Sequence, residues 1–396
     1  MYVCIYEVNN TTITTAIDTA VNRRVKIYAI FGKYVSTSVF KSSFEYKKIG
    51  FSSQIMHNKF VVVKSSKVWT GSYNFTVSAT YDQDNFALEI FSKELAEIYE
   101  KAFLYMWDHG NDITISTRIA EFNNKSVDFI DGTKITVYFN PYSQNPQLKN
   151  VLIDNWYDVF EEKPKIKNLY FTVAWFTLED VSDIIKVLRD KNVDIFGIID
   201  DDSQNFSMYQ KLRNYGISIY FDARRTFYGE GLMHHKYCVV DPFTKNAKVI
   251  CGSANWSDAA LTSESNKNYE NLLVIESQKI AEVFYKEFLR LYNKTVSQQV
   301  STSLPKDVFK IKEYNLSFFT SKFSETNSVS PKFACFKDIT KLAIFLGKNN
   351  FILDKLSFKF KLVNPKQTDF LFSRAQPAGL FPADSFPSDK TFNACI

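Results

Sequence analysis

The chain has 396 residues, 45% hydrophobic and 23% charged, the balance of a globular protein with room for two or three cored domains. Its net charge of +5 allows a polyanionic substrate or peripheral contact with an anionic membrane and requires neither. The five cysteines are odd in number and form no Cys-x-x-Cys pair, which argues against a disulfide framework or a zinc knuckle and for a reducing, cytoplasmic setting.

No apolar run reaches the roughly 18 residues of a membrane helix, so no transmembrane segment is expected. MYVCIYEVNN lacks the basic-then-apolar order of a signal peptide and reads as a strand that begins at once. From there YVCIYEV, TTITTAIDTAVNRR and VKIYAIFG give strand, helix, strand. IMHNKFVVVKSS (55–66) and GSYNFT (71–76) follow, then Asp84 before an apolar strand, then the amphipathic helix SKELAEIYEKAFLYMW (92–107).

A second series starts with the strand ITVYFN (135–140) and the helical stretch PQLKNVLIDNWYDVF (146–160). NLYFTVAWFT (168–177), LEDVSDIIKVLRDKN (178–192) and VDIFGIID (193–200) repeat strand, helix, strand. LMHHKYCVVDPF (232–243), GSANWS (252–257), Glu270 and the helix SQKIAEVFYKEFLRLY (277–292) repeat the rest. Strand–helix–strand succession implies parallel sheets with helices on their faces, and the recurrence is an internal duplication, 1–110 and 134–293.

The first copy lacks counterparts of 135–140 and 146–160, so it should leave a sheet edge or helix-packing face uncovered. The C-terminal region, a partner chain or sequence upstream of Met1 could fill that gap. Residues 294–306 read as a polar linker, and 307–396, with Phe-rich runs such as LSFKFKLV, as a small β-rich appendage of unknown function. Pro and Gly in QPAGLFPADSFPSD (376–389) argue against regular structure there.

The chemistry lies in the repeated element. Residues two apart on a strand share a face, so His57 projects with Lys59 and His234 with Lys236, while Asn58 and His235 turn away. GSYNFT begins fourteen residues after His57 and GSANWS eighteen after His234; a glycine, a hydroxyl and an amide suit a tight turn facing an anion. Asp84 and Glu270 supply the carboxylates that fix a catalytic imidazole's tautomer. One His-x-Lys pair means little; two, each with Gly-Ser-x-Asn and a later acid, point to function. Asp200, Asp201 and Asp202 read as a solvated turn and cap rather than a metal site. His235 reads as an outward-facing structural residue, and Cys238 and Cys251 as small core residues on paired strands.

His-x-Lys-x4-Asp followed by Gly-Ser-x-Asn, present twice, resembles the phospholipase D superfamily over about residues 1–293. The second copy carries His234, Lys236, Asp241, Gly252, Ser253, Asn255 and Glu270. The first carries His57, Lys59, Gly71, Ser72, Asn74 and Asp84, but has Lys64 where the aspartate would stand, which puts the rigidity of a supporting loop in doubt. The resemblance implies an α/β fold of two α-β-α repeats facing each other about a pseudo-twofold and sharing one site. It implies phosphodiester hydrolysis through a phosphohistidine, with His57 as nucleophile and His234 as acid. Lys59, Lys236, Asn74 and Asn255 would hold the phosphate oxygens, with Ser72, Ser253 and Asp241 supporting or contacting it. No cofactor or metal is expected, since two ammonium groups do the work of divalent ions.

The substrate is nucleic acid or phospholipid, with a slight lean to nuclease. Both Gly-Ser-x-Asn elements end in an aromatic, neither copy has a lid-sized insertion, and Arg224, Arg225 and Tyr228 precede the second motif. The alternatives are phosphatidyl transfer on membrane phospholipid and, against the retention of every reacting residue type, a non-catalytic binding protein. Oligomeric state stays open.

Overall fold

The computed structural model describes residues 1–111, 117–142, 147–222, 231–262 and 267–299, and strand segments at 358–360, 370–372 and 391–395. In the first repeat β1 (Tyr2–Ile5), β2 (Tyr28–Gly32) and β3 (Glu45–Ile49) run parallel. Antiparallel β4 (Lys59–Val63), β5 (Lys67–Gly71) and β6 (Ala87–Phe91) complete the order β3-β2-β1-β4-β5-β6. Helices α1 (Thr11–Asn22), α2 (Val77–Tyr81) and α3 (Lys93–His109) connect them, α1 capped by Asn10 and α3 by Ser92, whose side chains accept from the first-turn N–H groups.

The second repeat contributes β7 (Lys125–Asp128), β8 (Lys134–Asn140), α4 (Leu148–Trp156) and a two-stranded ribbon of β9 (Tyr157–Asp158) and β10 (Lys163–Pro164). Then come β11 (Asn168–Val173), α5 (Glu179–Asp190), β12 (Asp194–Asp200), α6 (Phe206–Asn214) and β13 (Ser218–Asp222). It ends with β14 (Lys236–Val240), β15 (Lys248–Gly252), α7 (Asp258–Leu261), β16 (Glu270–Glu276) and α8 (Gln278–Gln299). Its sheet order is β13-β12-β11-β14-β15-β16-β8-β7, the first six strands repeating the topology of the first sheet.

Two elements depart from the sequence reading. The stretch 146–160 is helical only to Trp156, where the chain turns into the β9–β10 ribbon. Helix α8 runs on to Gln299, into the expected linker, because nothing between Asn293 and Gln299 is a glycine or proline that would stop it.

The edge left by the short first repeat is occupied. In the second sheet β8 pairs antiparallel along β16, from Glu270 opposite Asn140 to Glu276 opposite Lys134. In the first sheet the same flank of β6 takes β19 (Thr391–Cys395), with Thr391 opposite Phe91 and Cys395 opposite Ala87, reached after β17 (Phe358–Phe360) and β18 (Phe370–Phe372). Of the three fillers expected, the C-terminal region provides this strand; 376–389 lies outside the described residues.

Between the sheets lies one apolar core that both repeats share. It joins Phe60 and Val62 of β4 and Tyr99 and Phe103 of α3 to Tyr237 and Val239 of β14 and Phe284 and Phe288 of α8. Phe86 of the first repeat meets Phe284 of the second edge-on at 5.4 Å. Each such buried ring contributes roughly 1.5–3 kcal/mol, so the copies stabilise each other and hold their facing loops in fixed register. Cys238 and Cys251 are fully buried on adjacent strands, as small core residues.

Candidate active site

Antiparallel β4 and β14 each start where the neighbouring parallel strand ends, which brings both His-x-Lys elements to the carboxyl edges of the parallel strands. The repeats are stitched together there. His57 N–H donates to Tyr269 C=O at 2.9 Å, and His234 N–H donates to Asp84 C=O at 2.8 Å. Each histidine is thus hung on the segment entering the other repeat's sixth strand.

The ring partners are crossed in the same way. His57 Nδ1 lies 2.8 and 2.9 Å from the two carboxylate oxygens of Glu270, and His234 Nδ1 lies 2.8 Å from Asn85 Oδ1. Glu270 therefore serves the histidine of the opposite copy. Asp84 does not meet the His234 ring and is corrected to Asn85: Gly71 pairs with Ala87 as Gly252 pairs with Leu272, a register that makes Asn85 the counterpart of Glu270. Aligning ALEIF with LLVIE in the sequence would have revealed it.

The Gly-Ser pairs position these partners. Ser72 Oγ donates to Asn85 Oδ1 at 2.9 Å, and Ser253 Oγ donates to Glu270 Oε2 at 2.5 Å. Each glycine lets the next strand approach: a Cβ at Gly71 would lie 2.3 Å from Phe86 O, and one at Gly252 2.1 Å from Asn271 O. Asn74 and Asn255 each have a buried amide oxygen without a partner among the described residues, polar groups available to a ligand.

Both lysines are buried, Lys59 at 0% and Lys236 at 1% exposure. Their Nζ atoms donate to His57 O at 2.6 Å and His234 O at 2.8 Å. Each pair packs on an aromatic ring that sequence reasoning missed. Tyr6 lies edge-on to His57 at 5.2 Å with Lys59 Nζ 5.2 Å from its centroid; Trp175 meets His234 at 5.8 Å and Lys236 at 5.5 Å.

Burial and mutual repulsion hold the protons of this cluster loosely. Burial lowers His57 to about 4 against the opposing pull of Glu270, and lowers Lys59 to about 7. His234 sits well below its ordinary value through burial and then the charges of Lys236, Lys59 and His57; Lys236 is likewise lowered by burial and Lys59. Glu270 stays ionised, its burial outweighed by His57, Lys59 and the Ser253 hydroxyl. Such a desolvated, cation-rich pocket is complementary to an anion, which would stabilise all four protonated groups.

The remaining candidates lie off the reacting groups. Asp241 follows the end of β14 opposite to Lys236 and accepts from the N–H groups of Lys167 and Asn168 at 3.1 and 2.8 Å. Lys64, its counterpart, pairs with Glu100 at 3.1 Å on the surface. Asp202 caps the turn at Gln204 as expected, but Asp200 is buried rather than solvated: it accepts from Met233 N–H at 2.9 Å, and its charge opposes the lowering of Lys236. His235 is not outward-facing; it is fully buried, with Nε2 3.1 Å from Glu287 Oε1. Arg224, Arg225 and Tyr228 lie outside the described residues.

Residues 1–107 and 162–292 match the family described as "Cardiolipin synthase, PLD-like domain". The chain is 30% identical over 128 residues to a mitochondrial cardiolipin hydrolase of Xenopus laevis, covering 32% of this chain and 55% of that protein. It is 31% identical over 105 residues to a phospholipase D of Rickettsia prowazekii, 25% of this chain and 51% of that one. It thus spans about half the length of these curated relatives. In fold it is similar to a phosphatidylserine synthase of Haemophilus influenzae, with a TM-score of 0.51 at 12% identity, over 74% of this chain and 80% of that one. Among the described residues no helix is long and apolar enough to cross a membrane. The family match covers well over half of the chain and contains both His-x-Lys elements: the protein belongs to the phospholipase D superfamily.

Proposed function

We propose that the protein is a phosphodiester hydrolase that acts on phospholipid through a phosphohistidine intermediate, without a metal. The observation that carries this reading is the crossed arrangement of two buried His–Lys pairs, one imidazole on a carboxylate and the other on an amide.

Glu270 accepts the Nδ1 proton of His57, which leaves the Nε2 lone pair for phosphorus and balances the positive charge of the N-phosphorylated ring. As the Nε2–P bond forms and the P–O bond to the leaving alcohol breaks, His234 gives its Nε2 proton to the departing oxygen. A carboxylate partner would make that imidazolium a weaker acid; the amide oxygen of Asn85 orients it and leaves it strong. His234, now neutral, takes a proton from water, whose oxygen displaces His57 and restores both rings. Lys59, Lys236, Asn74 and Asn255 hold the non-bridging oxygens as charge builds.

Similarity to a mitochondrial cardiolipin hydrolase and a phospholipase D, together with the rim of the site, supports phospholipid as the substrate. Beyond Tyr6, Tyr34 (71% exposed) and Phe51 (45%) flank Lys33, whose Nζ lies 5.6 and 5.8 Å from their rings. These residues follow β2 and β3 at the same sheet edge as His57 and give peripheral contact with a lipid surface an aromatic, cationic footing. Purified protein in EDTA should hydrolyse fluorescent phosphatidyl substrates faster than single-stranded DNA, RNA or duplex. Preferential cleavage of nucleic acid would overturn the lipid assignment. A rate lost to the chelator and restored by Mg²⁺ or Zn²⁺ would overturn metal independence.

A pH dependence follows from Lys59. Its lowered value means the free site holds this ammonium below about pH 7 and loses it above. A neutral amine cannot clamp a phosphodiester anion, so kcat/KM should fall as pH rises through that range, toward about tenfold per unit. In Lys59→Arg, whose side chain does not deprotonate, the fall should become shallower and follow only the loss of the His234 and Lys236 protons, both also lowered by burial; an unchanged slope would contradict the assignment.

A further inference from the structure

The two half-sites are braced differently on the far side of the sheets, away from the pocket. Behind His57 and Glu270, the residues next in chain, Asn58 and Asn271, join through Asn271 Nδ2 donating to Asn58 Oδ1 at 2.9 Å. Thr70 Oγ1 donates to Asn271 Oδ1 at 3.0 Å, so this brace is neutral.

Behind His234 and Asn85 the counterparts of Asn58 and Asn271 are His235 and Phe86, whose rings stack at 6.1 Å, and the charged neighbour is Asp84, immediately before Asn85. An ionic relay from α8 connects His235 to Asp84. Arg290 Nη2 donates to Asp84 Oδ1 at 2.9 Å and to Glu287 Oε1 at 2.6 Å, and Arg290 Nε donates to Glu287 Oε2 at 2.7 Å. His235 Nε2 closes the relay on Glu287 at 3.1 Å. Asp84, Glu287 and His235 are buried, whereas the Arg290 side chain is 43% exposed and reaches in from the surface. The circuit runs His234–His235–Glu287–Arg290–Asp84–Asn85 and returns to the His234 ring through the Asn85 amide.

Resting on the phosphodiesterase reading, we propose that Arg290 is a positioning residue for the acid. Through Asp84 and Glu287 it fixes the Asn85 amide against His234 Nδ1, and so aims the Nε2 proton at the leaving oxygen. Only a planar guanidinium can fork between both carboxylates at once. The nucleophilic half, braced by neutral amides, is independent of it.

Leaving-group chemistry tests the role. p-Nitrophenolate departs without protonation, whereas an alkoxide needs the acid. In Arg290→Gln, turnover of a short-chain phosphatidylcholine should fall by about 10²-fold, the scale of a misaimed catalytic group. The burst of p-nitrophenol from bis(p-nitrophenyl) phosphate should change less than about threefold, because forming the His57 adduct needs only the nucleophilic half. Asn85→Ala, which removes the amide itself, should show the same split. Arg290→Lys keeps the charge without the fork and should give a smaller split in a protein that folds like the parent.

Equal losses on both substrates in Arg290→Gln and Arg290→Lys would reduce Arg290 to a structural residue and overturn the proposal. So would unchanged turnover of both. If the parent enzyme releases no p-nitrophenol and no choline, the phosphodiesterase reading fails first and the positioning role falls with it.

Discussion

His57→Ala should abolish phosphodiester turnover, and His234→Ala should nearly do so for an alkoxide leaving group. Loss of a positioned acid or base costs about 10²–10⁴-fold, and loss of the nucleophile removes the covalent route entirely. Both belong to one cycle, so the double variant should be scarcely worse than His57→Ala, because residues that act as a unit are non-additive. Steady-state kinetics on one phosphatidyl substrate for all three variants measures this. Near-parent turnover in either single variant would mean that the two copies do not share a site.

The second large effect belongs to Glu270. It holds the His57 tautomer with both carboxylate oxygens and is itself held by Ser253. Glu270→Gln keeps the shape but puts an NH₂ where an acceptor is needed, which favours the His57 tautomer with its proton on Nε2, the atom that must attack. In a serine-protease triad the equivalent acid-to-amide change costs about 10⁴-fold, and a loss on the order of 10³–10⁴ is expected here. Asn85→Asp should be far milder, because a carboxylate on His234 weakens the acid without removing its orientation. A larger loss in Asn85→Asp than in Glu270→Gln would exchange the roles of the two histidines.

This asymmetry was only half legible in the sequence. His-x-Lys and Gly-Ser-x-Asn could be read because period-two projection and tight-turn chemistry are local, and their repetition announced two matching halves. The pairing across the halves was not local. Nothing in the sequence says that Glu270 turns to His57 rather than to His234. Asp84 is the residue the sequence favours, because catalytic imidazoles want carboxylates, while the amide one residue later takes the position. His235 reads as an outward-facing structural residue because its partner, Glu287, lies 52 positions further along the chain. The missing outer strand of the first copy was visible as an absence, but the segment that fills it, 391–395, carries no motif that points there.

Trapping the nucleophile is the decisive measurement. His234→Ala, mixed with bis(p-nitrophenyl) phosphate, should release about one nitrophenol per site and then stall, since the first leaving group needs no acid but the adduct needs a base to be hydrolysed. Intact-mass analysis after alkaline quench should show one p-nitrophenyl phosphoryl adduct, and peptide mapping should place it on His57. An adduct that persists in His57→Ala, or continued turnover in His234→Ala with no adduct at all, would contradict the mechanism.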